Sequence, residues 1–256
     1  MKKKLYIISF LIIFFSVIFL NSKSYRYIGV NYIIERHEIS NFQKLSEFYE
    51  RHTNYKELVK KILHNSLNKK DEIMSISIWV FENIKKISNK DLIIDNHPWT
   101  IVERKVGTSD QFSDILSVLL VYANVDSFFT MGSNKIFHPM TFFKYNNRWS
   151  IIDPYYGIYF TNNKKYFSSL KEIKNDNLLI YHLNLGKVTS KNLSEVFFDK
   201  NFKNIQELNI YYKFLLQNIA SSETIDDTNI YERGGRSYIQ KPLHRILQQL
   251  KTLLKI

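Results

Sequence analysis

The segment from Gly107 to Ala123 constrains the fold most, because its pattern predicts a helix with an exposed first turn and a buried body. Thr108 is followed three residues later by Gln111, which is the spacing of a capping box, so the helix is expected to begin at Ser109. The apolar residues that share one face of this helix are Phe112, Ile115, Leu116, Leu119, Leu120 and Ala123. A helix with such a face must pack against other elements of a core.

Ser109 lies one turn before Phe112 and on the same face, so its hydroxyl is expected to point at whatever the helix packs on. The unpaired N–H groups of the first turn place partial positive charge beside it. A nucleophile at the tip of a helix therefore comes with donors that can stabilise an oxyanion. Ser109 is a candidate nucleophile on this basis.

Two β-rich runs around the asparagines at 146–147 predict a β-hairpin. If those asparagines form a two-residue loop, Tyr145 pairs with Arg148, and the register can be counted back along both strands. His138 and Asp153 are then diagonal neighbours on one face, within reach of each other's side chains. A loop one residue longer or shorter would put them on opposite faces.

The segment from Asp71 to Asp153 resembles the transglutaminase-like superfamily. Three blocks carry the resemblance: Asp71–Ile84, similar to the family's helix ahead of the nucleophile; Gly107–Leu120; and the run from His138 through Trp149 to Asp153-Pro154. The resemblance implies an α+β, papain-like core, in which a helix that carries the nucleophile packs on an antiparallel sheet that carries histidine and aspartate. It also implies that His138 is the base and that Asp153 orients it.

The nucleophile of that family is a cysteine, whereas this chain has Ser109 at the position and contains no cysteine at all. A cysteine beside a histidine can exist as thiolate near neutral pH, but a serine must lose its proton to the base during attack. A site shaped around sulfur holds the serine oxygen too far back, and a misplacement of about 1 Å can cost on the order of 100-fold in rate. The replacement is therefore expected to silence such a site more readily than to convert it.

Three hypotheses remain open. The first is a non-catalytic binding or scaffolding domain, a pseudoenzyme, whose cleft holds a peptide, a glycan or a cell-surface component. The second is an active hydrolase or acyl transferase, in which Ser109 attacks an amide or ester carbonyl, His138 moves the proton and Asp153 holds the imidazole. In the third, the serine merely starts a helix, the histidine is a satisfied strand residue and the aspartate belongs to an Asp-Pro turn.

Two aromatic residues are candidates for substrate binding. The hairpin register places Tyr155 opposite His138, so Tyr155 is the aromatic residue expected beside the site. Trp99 lies in a predicted loop before the helix that is expected to begin at Ser109. There it could form a wall of a substrate groove or cover the core.

The N-terminus predicts a membrane anchor. Three lysines at 2–4 precede a 16-residue apolar run, Leu5–Leu20, which has the form of an export signal. No small-x-small cleavage site follows, so residues 1–24 are expected to remain as a single transmembrane segment in the cytoplasmic membrane, although the run is just short of a comfortable span. The lysines would stay inside, and the globular part would be extracytoplasmic, in the periplasm. The alternative is a buried hydrophobic helix in a soluble protein.

The rest of the chain divides into a helical lead-in (25–69), the transglutaminase-like core (70–168) and a mostly helical C-terminal extension (169–256). The extension ends in a basic amphipathic segment, Pro242–Ile256, which is expected to dock on the domain or to lie on the membrane. The net charge of +12 is scattered, and an anionic membrane explains it at least as well as nucleic acid, which is not an expected partner. Without a metal-ligand pattern or a nucleotide-binding motif, no metal and no cofactor are expected.

Overall fold

The computed structural model describes residues 2–30, 33–87, 97–133, 136–162, 166–175, 179–197 and 199–220. The predicted C-terminal helix, Pro242–Ile256, lies outside the described residues. The described chain combines helices with a six-stranded antiparallel sheet. The predicted α+β class, with helices packed on an antiparallel sheet, is confirmed.

The N-terminal part consists of two helices joined by a two-stranded hairpin. Helix α1 spans Lys2–Asn21, strands β1 (Lys23–Val30) and β2 (Ile33–Ser40) pair antiparallel, and helix α2 spans Asn41–Ile62. Ser40 begins α2, because its hydroxyl accepts the backbone N–H of Gln43 at 3.1 Å. No helix within the described ranges is both long enough and apolar enough to cross a membrane.

Helices α3 (Lys69–Asn83), α4 (Pro98–Arg104) and α5 (Ser109–Tyr122) follow α2. Two short strands, β3 (Lys85–Lys86) and β4 (Val106–Gly107), pair in parallel just before α5. Helix α5 begins where it was predicted to begin. Thr108 is its N-cap, and the side-chain oxygen of Gln111 accepts the backbone N–H of Thr108 at 3.1 Å.

The segment that carries Trp99 is helical, and the prediction of a loop there was wrong. His97 caps α4, because its Nδ1 accepts the backbone N–H of Trp99 at 3.2 Å. Pro98 is the first helical residue, a position that suits its fixed φ and at which its missing N–H leaves no bond unmade. The helix ends at Arg104 and is capped by Lys105, whose φ of 56° is in the left-handed region.

The sheet is a meander in which each strand pairs with the next strand along the chain. Its strands are β5 (Ser127–Ser133), β6 (Ile136–Tyr145), β7 (Arg148–Asp153), β8 (Ile158–Thr161), β9 (Leu179–His182) and β10 (Gly186–Lys187). Helix α6 (Leu170–Asn175) lies between β8 and β9 in sequence, and α7 (Leu193–Val196) and α8 (Ile205–Ala220) follow the sheet. The sheet therefore includes two strands from beyond residue 168.

The predicted register of the β6–β7 hairpin is confirmed, since Tyr145 pairs with Arg148. Asn146 and Asn147 both have positive φ, 49° and 58°. A two-residue hairpin turn of this kind requires positive φ at both positions, and asparagine tolerates it better than most residues. The turn therefore fixes the register.

The sheet separates two hydrophobic cores. Phe143 and Ile152 lie in the core that the sheet forms with α2, α3 and α5, whereas Phe142 and Ile151 lie in the core on the α8 side. Successive side chains of a strand point to opposite faces. Asp153, two residues beyond Ile151, therefore faces α8.

A bulge places His138 in β6. Thr130 of β5 pairs with Met140, but Gly132 pairs with Phe137, so the two residues 138–139 oppose a single residue of β5. The second of these residues is proline, which has no N–H to donate to a strand ladder. Bulges redirect the side chains that they contain.

Candidate functional site

His138 and Asp153 form a buried, hydrogen-bonded pair on the α8 side of the sheet. Nε2 of His138 lies 2.6 Å from Oδ2 of Asp153, and both side chains are buried. The predicted proximity of these two side chains is confirmed. One residue lies in the β6 bulge and the other ends β7, so the sheet itself sets the geometry of the pair.

Two further donors bind the carboxylate of Asp153. Tyr212 of α8 donates its hydroxyl to Oδ2 at 2.7 Å, and the backbone N–H of Tyr156 donates to Oδ1 at 3.2 Å. Burial by itself raises the pKa of Asp153, but the charge and hydrogen bond of His138, together with the two other donors, outweigh burial and lower the pKa. Asp153 is therefore an ionised acceptor at neutral pH that orients the imidazole.

The second ring nitrogen of His138, Nδ1, has Tyr211 as its hydrogen-bond partner. The Tyr211 hydroxyl lies 3.0 Å from Nδ1, and Nζ of Lys200 donates to the same hydroxyl oxygen at 2.7 Å. Because an ammonium group can only donate, the proton of Tyr211 is left for Nδ1. In the neutral form of His138, Nε2 then carries the single imidazole proton and donates it to Asp153. This assignment gives both the hydroxyl proton of Tyr211 and the Nε2 proton of His138 an acceptor.

Three tyrosine rings enclose the imidazole. Tyr156 stacks on it at a centroid distance of 5.8 Å and an angle of 8°, and Tyr211 and Tyr212 meet it edge to face at 5.4 and 5.9 Å. Tyr156 also donates its hydroxyl to Asp199 at 2.7 Å. Burial, and then the charges of two nearby carboxylates, raise the pKa of Tyr211. Tyr211 therefore stays protonated and remains a donor.

Two half-buried lysines lie beside the pair. Nζ of Lys86 is 5.4 Å from the centroid of the Tyr155 ring, and Nζ of Lys200 donates a hydrogen bond to the hydroxyl of Tyr211. Burial lowers the pKa of both lysines, and the charges of Asp153 and Asp199 act in the opposite direction. The surroundings of the imidazole thus contain two amines and two carboxylates.

Ser109 is the first residue of α5, as predicted, but it does not complete the predicted triad in this structure. Its side chain makes no hydrogen bond with any residue of the described ranges. The hydroxyl that meets His138 is that of Tyr211. Helix α5 reaches the site through ring contacts, since Phe112 packs edge to face on Tyr155 at 5.4 Å. The structure joins two of the three predicted catalytic residues and leaves the third unbonded to them.

The two predicted substrate-binding aromatics lie in different surroundings. Tyr155 packs edge to face on Tyr156 at 5.2 Å and is one ring removed from the imidazole. Trp99 packs edge to face on Tyr55 at 5.0 Å and donates its indole N–H to Glu103 at 2.8 Å. Trp99 therefore covers the helical core, which is one of the two roles considered for it.

The sequence analysis missed Tyr211, Tyr212 and Lys200. The available signal was Tyr212, which shares the buried face of α8 with Leu208 and Leu215. A tyrosine on a buried face needs a partner for its hydroxyl. No group of three or more His, Cys, Asp or Glu side chains that could hold a metal ion occurs in the part of the chain that the structure describes.

The fold and the site define an α+β protein with a buried histidine that a carboxylate orients. Comparisons with models of protein families and with curated proteins give no match. Among solved structures, the chain is similar to a candidate cysteine protease from Cytophaga hutchinsonii, with 17% identity and a TM-score of 0.36. The match covers 41% of this chain and 37% of that chain, so this chain spans little more than a third of that protein's length.

Proposed function

We propose that this chain is a non-catalytic binding or scaffolding module built on a papain-like, transglutaminase-like core. The resemblance in sequence puts His138 and Asp153 at the positions of that family's base and orienting residue, and Ser109 at the position of its nucleophile. Loss of the thiol removes the thiolate on which such a site depends. In this proposal the cleft holds its ligand without cleaving it.

The hydrogen bond between Tyr211 and Nδ1 of His138 is the observation that carries this proposal. Nε2 is committed to Asp153, so Nδ1 is the nitrogen through which the imidazole would take a proton from a nucleophile. Tyr211 fills that position, and Lys200 in turn holds Tyr211. A serine nucleophile could use this base only after Tyr211 had moved.

The proposed ligand is a peptide, a glycan or another cell-surface component. The amines of Lys86 and Lys200, the carboxylate of Asp199 and the tyrosine hydroxyls around the pair are polar groups that could fix the orientation of such a ligand.

We further propose that residues 1–24 anchor the chain in the cytoplasmic membrane, with the globular part in the periplasm. The apolar side chains of α1, such as Phe10, Phe15 and Phe19, are largely exposed, which water does not favour. The 16-residue run Leu5–Leu20 is shorter than the stretch of about 20 residues that a straight span needs. The lysines that precede the run can extend their amines to the cytoplasmic surface of the membrane, which compensates for the short length of the run.

A second candidate function is that of a serine hydrolase or acyl transferase, and the intact His138–Asp153 pair favours it. In this mechanism Oγ of Ser109 attacks an amide or ester carbonyl, and its proton passes to Nδ1 of His138. The histidine then gives that proton to the leaving amine or alcohol. Backbone N–H groups of the first turn of α5 hold the oxyanion. The mechanism requires Ser109 to replace Tyr211 at the imidazole.

A fluorophosphonate probe applied to the full chain in detergent separates the two functions. In an active enzyme, the oxygen of Ser109 displaces fluoride from phosphorus while its proton passes to His138. The binding module should show no more labelling than the Ser109→Ala variant does. The matched control is Ser46→Ala, which alters an exposed serine of α2. Labelling that Ser109→Ala and His138→Gln abolish, and that Ser46→Ala retains, would overturn the binding proposal.

The variant Ser109→Cys tests the resemblance itself. The chain has no cysteine of its own, so its reaction with iodoacetamide reports a single thiol. A thiol at a helix N-terminus loses its proton below its usual pKa of about 8.5, because the unpaired N–H groups of the first turn stabilise the thiolate. We expect the variant to react rapidly at mildly acidic pH and the control Ser46→Cys to react slowly there. Matching pH profiles in the two variants would contradict the placement of Ser109 at a nucleophile position.

A further inference from the structure

Helix α2 carries an exposed apolar stripe in its first turns. Phe42, Leu45 and Tyr49 have the spacing of one helical face, and they are 62%, 56% and 69% exposed. The buried residues of this helix, Tyr55 and Val59, lie in its second half, on a face centred about a quarter turn from that of the stripe. The stripe therefore does not serve to pack α2 on the domain.

The start of α2 is bonded to the end of α1. The backbone N–H of Asn41 donates to the carbonyl of Ser22 at 3.0 Å, and its side-chain amide donates to the carbonyl of Phe19 at 3.1 Å. Phe42 follows directly, and the rings of Phe15 and Phe19 on α1 are also exposed. The stripe on α2 thus begins where the exposed apolar surface of α1 ends.

The same face of α2 continues with positive charge. Lys56 and Lys60 follow Tyr49 along this face and are exposed. The nearest acidic residues of the helix, Glu50 and Glu57, lie about a quarter turn away from the stripe. Because the lysines share the face of the aromatic stripe, they can reach the headgroups of an anionic bilayer into which the stripe inserts.

We infer that the stripe of Phe42, Leu45 and Tyr49, with Lys56 and Lys60, is a second membrane contact that lays α2 along the surface of an anionic bilayer. This inference rests on the proposed anchoring through α1. The stripe extends about 10 Å along the axis of α2, and interfacial helices insert their apolar face to a depth of about 5–10 Å in the bilayer. Its three apolar side chains reach lipid together only when α2 lies flat, because an upright helix would lift Tyr49 into water.

The absence of cysteine from the chain allows the depth of single positions to be measured. Full-length variants Phe15→Cys, Leu45→Cys and Glu50→Cys are labelled with an NBD fluorophore and reconstituted in vesicles. The vesicles contain equal amounts of phosphatidylcholine and phosphatidylglycerol, and some of the lipids carry a nitroxide quencher. We expect blue-shifted, quenched emission from the labels at positions 15 and 45, and water-like, unquenched emission from the matched control at position 50.

The charge of the lipid and of the helix should affect α2 alone. In vesicles of phosphatidylcholine only, quenching should weaken at position 45 and stay unchanged at position 15, because the attraction to Lys56 and Lys60 is lost. The double variant Lys56→Glu/Lys60→Glu should have the same effect in the anionic vesicles. Equal quenching at position 45 under all these conditions would contradict the role given to the lysines.

The possible failures are distinguishable. If the label at position 15 is quenched while that at position 45 behaves like the control, the contact of α2 is overturned and the anchor stands. A blue shift at position 45 without quenching by nitroxide lipid would mean that protein, such as a second copy of this chain, covers the stripe, and would also overturn the inference. An unquenched label at position 15 would contradict the proposed anchor. It would also contradict the membrane contact of α2, which rests on that anchor.

Discussion

The variant Tyr212→Phe should destabilise the fold through the loss of one hydrogen bond. The hydroxyl of Tyr212 donates to Oδ2 of Asp153 at 2.7 Å, and both side chains are fully buried. The substitution keeps the ring and its edge-to-face contact with Phe160 at 5.0 Å, so little apolar burial is lost. The remaining change is a buried carboxylate that loses one donor.

A hydrogen bond to a charged group contributes about 1.5–3 kcal/mol to folding. Asp153 keeps His138 and the backbone N–H of Tyr156 as donors, so we expect a loss of about 2 kcal/mol. In a chain of 256 residues, 1 kcal/mol shifts Tm by about 2–4 °C, which gives a decrease of about 4–8 °C. The pKa of Asp153 should rise toward its usual value, because one of the donors that lower it is gone.

Thermal and denaturant unfolding of the full chain in a single detergent, followed by near-ultraviolet circular dichroism, measures this loss. The matched control is Tyr49→Phe on the exposed face of α2, which should change stability by less than about 0.5 kcal/mol. In the background of Asp153→Asn, Tyr212→Phe should cost clearly less than it does alone. The reasoning is refuted if Tyr212→Phe costs no more than the control, or if its cost is the same in both backgrounds.

Three further outcomes are expected. Burial and a nearby lysine lower the pKa of His182 from 6.5 to about 4, so between these pH values the unfolded chain binds a proton that the folded chain does not. The free energy of unfolding, measured with denaturant, should therefore fall as the pH is lowered from about 6.5 to about 4. The variant His182→Asn should make the free energy of unfolding depend less on pH in this range. Gly157→Ala should cost more than about 1 kcal/mol in the same assay, since φ is +69° there and a Cβ would lie 2.8 Å from Cε2 of Phe81; unchanged stability would contradict this turn geometry. Tyr211→Phe uncovers Nδ1 of His138, so carbethoxylation of that histidine, followed by peptide mass spectrometry, should become faster, and an unchanged rate would mean that the hydroxyl does not block it.

The β6–β7 hairpin and the start of α5 could be predicted because their determinants are local. The asparagines at 146–147 favour the positive φ of a two-residue turn, and that turn fixes the register. The register predicts that His138 and Asp153 lie on one face, and a hydrogen bond joins them in the structure. Thr108 and Gln111, three residues apart, likewise fix the first residue of α5 without help from the rest of the fold.

The residues that complete the site could not be predicted in this way. Tyr212 and Tyr211 are separated by 59 and 73 residues from their respective partners, Asp153 and His138. The apolar pattern of α8 shows that one face of the helix is buried, but it does not show which strands that face meets. Their contacts depend on how the helix packs, which no local pattern encodes.

The aromatic residue beside the imidazole illustrates a second limit. Strict alternation placed Tyr155 opposite His138, as if β7 continued past its last residue. Instead, the backbone N–H of Tyr156 bonds back to Oδ1 of Asp153, and the chain turns there. The turn brings the ring of Tyr156 onto the imidazole and moves Tyr155 one ring away. A side-chain acceptor at the end of a strand can therefore override the alternation of the strand.

Stability alone does not require the polar cluster around His138. Apolar residues of similar volume often replace a buried ion pair without loss of stability. In this site Asp153 has three donors and the imidazole has a partner on each nitrogen, so the cluster is satisfied and rigid. Rigid, satisfied polar groups suit the recognition of a ligand, whereas nucleophilic catalysis needs one of these bonds to open. That bond is the one between Tyr211 and His138, and the two proposed functions differ in whether it opens.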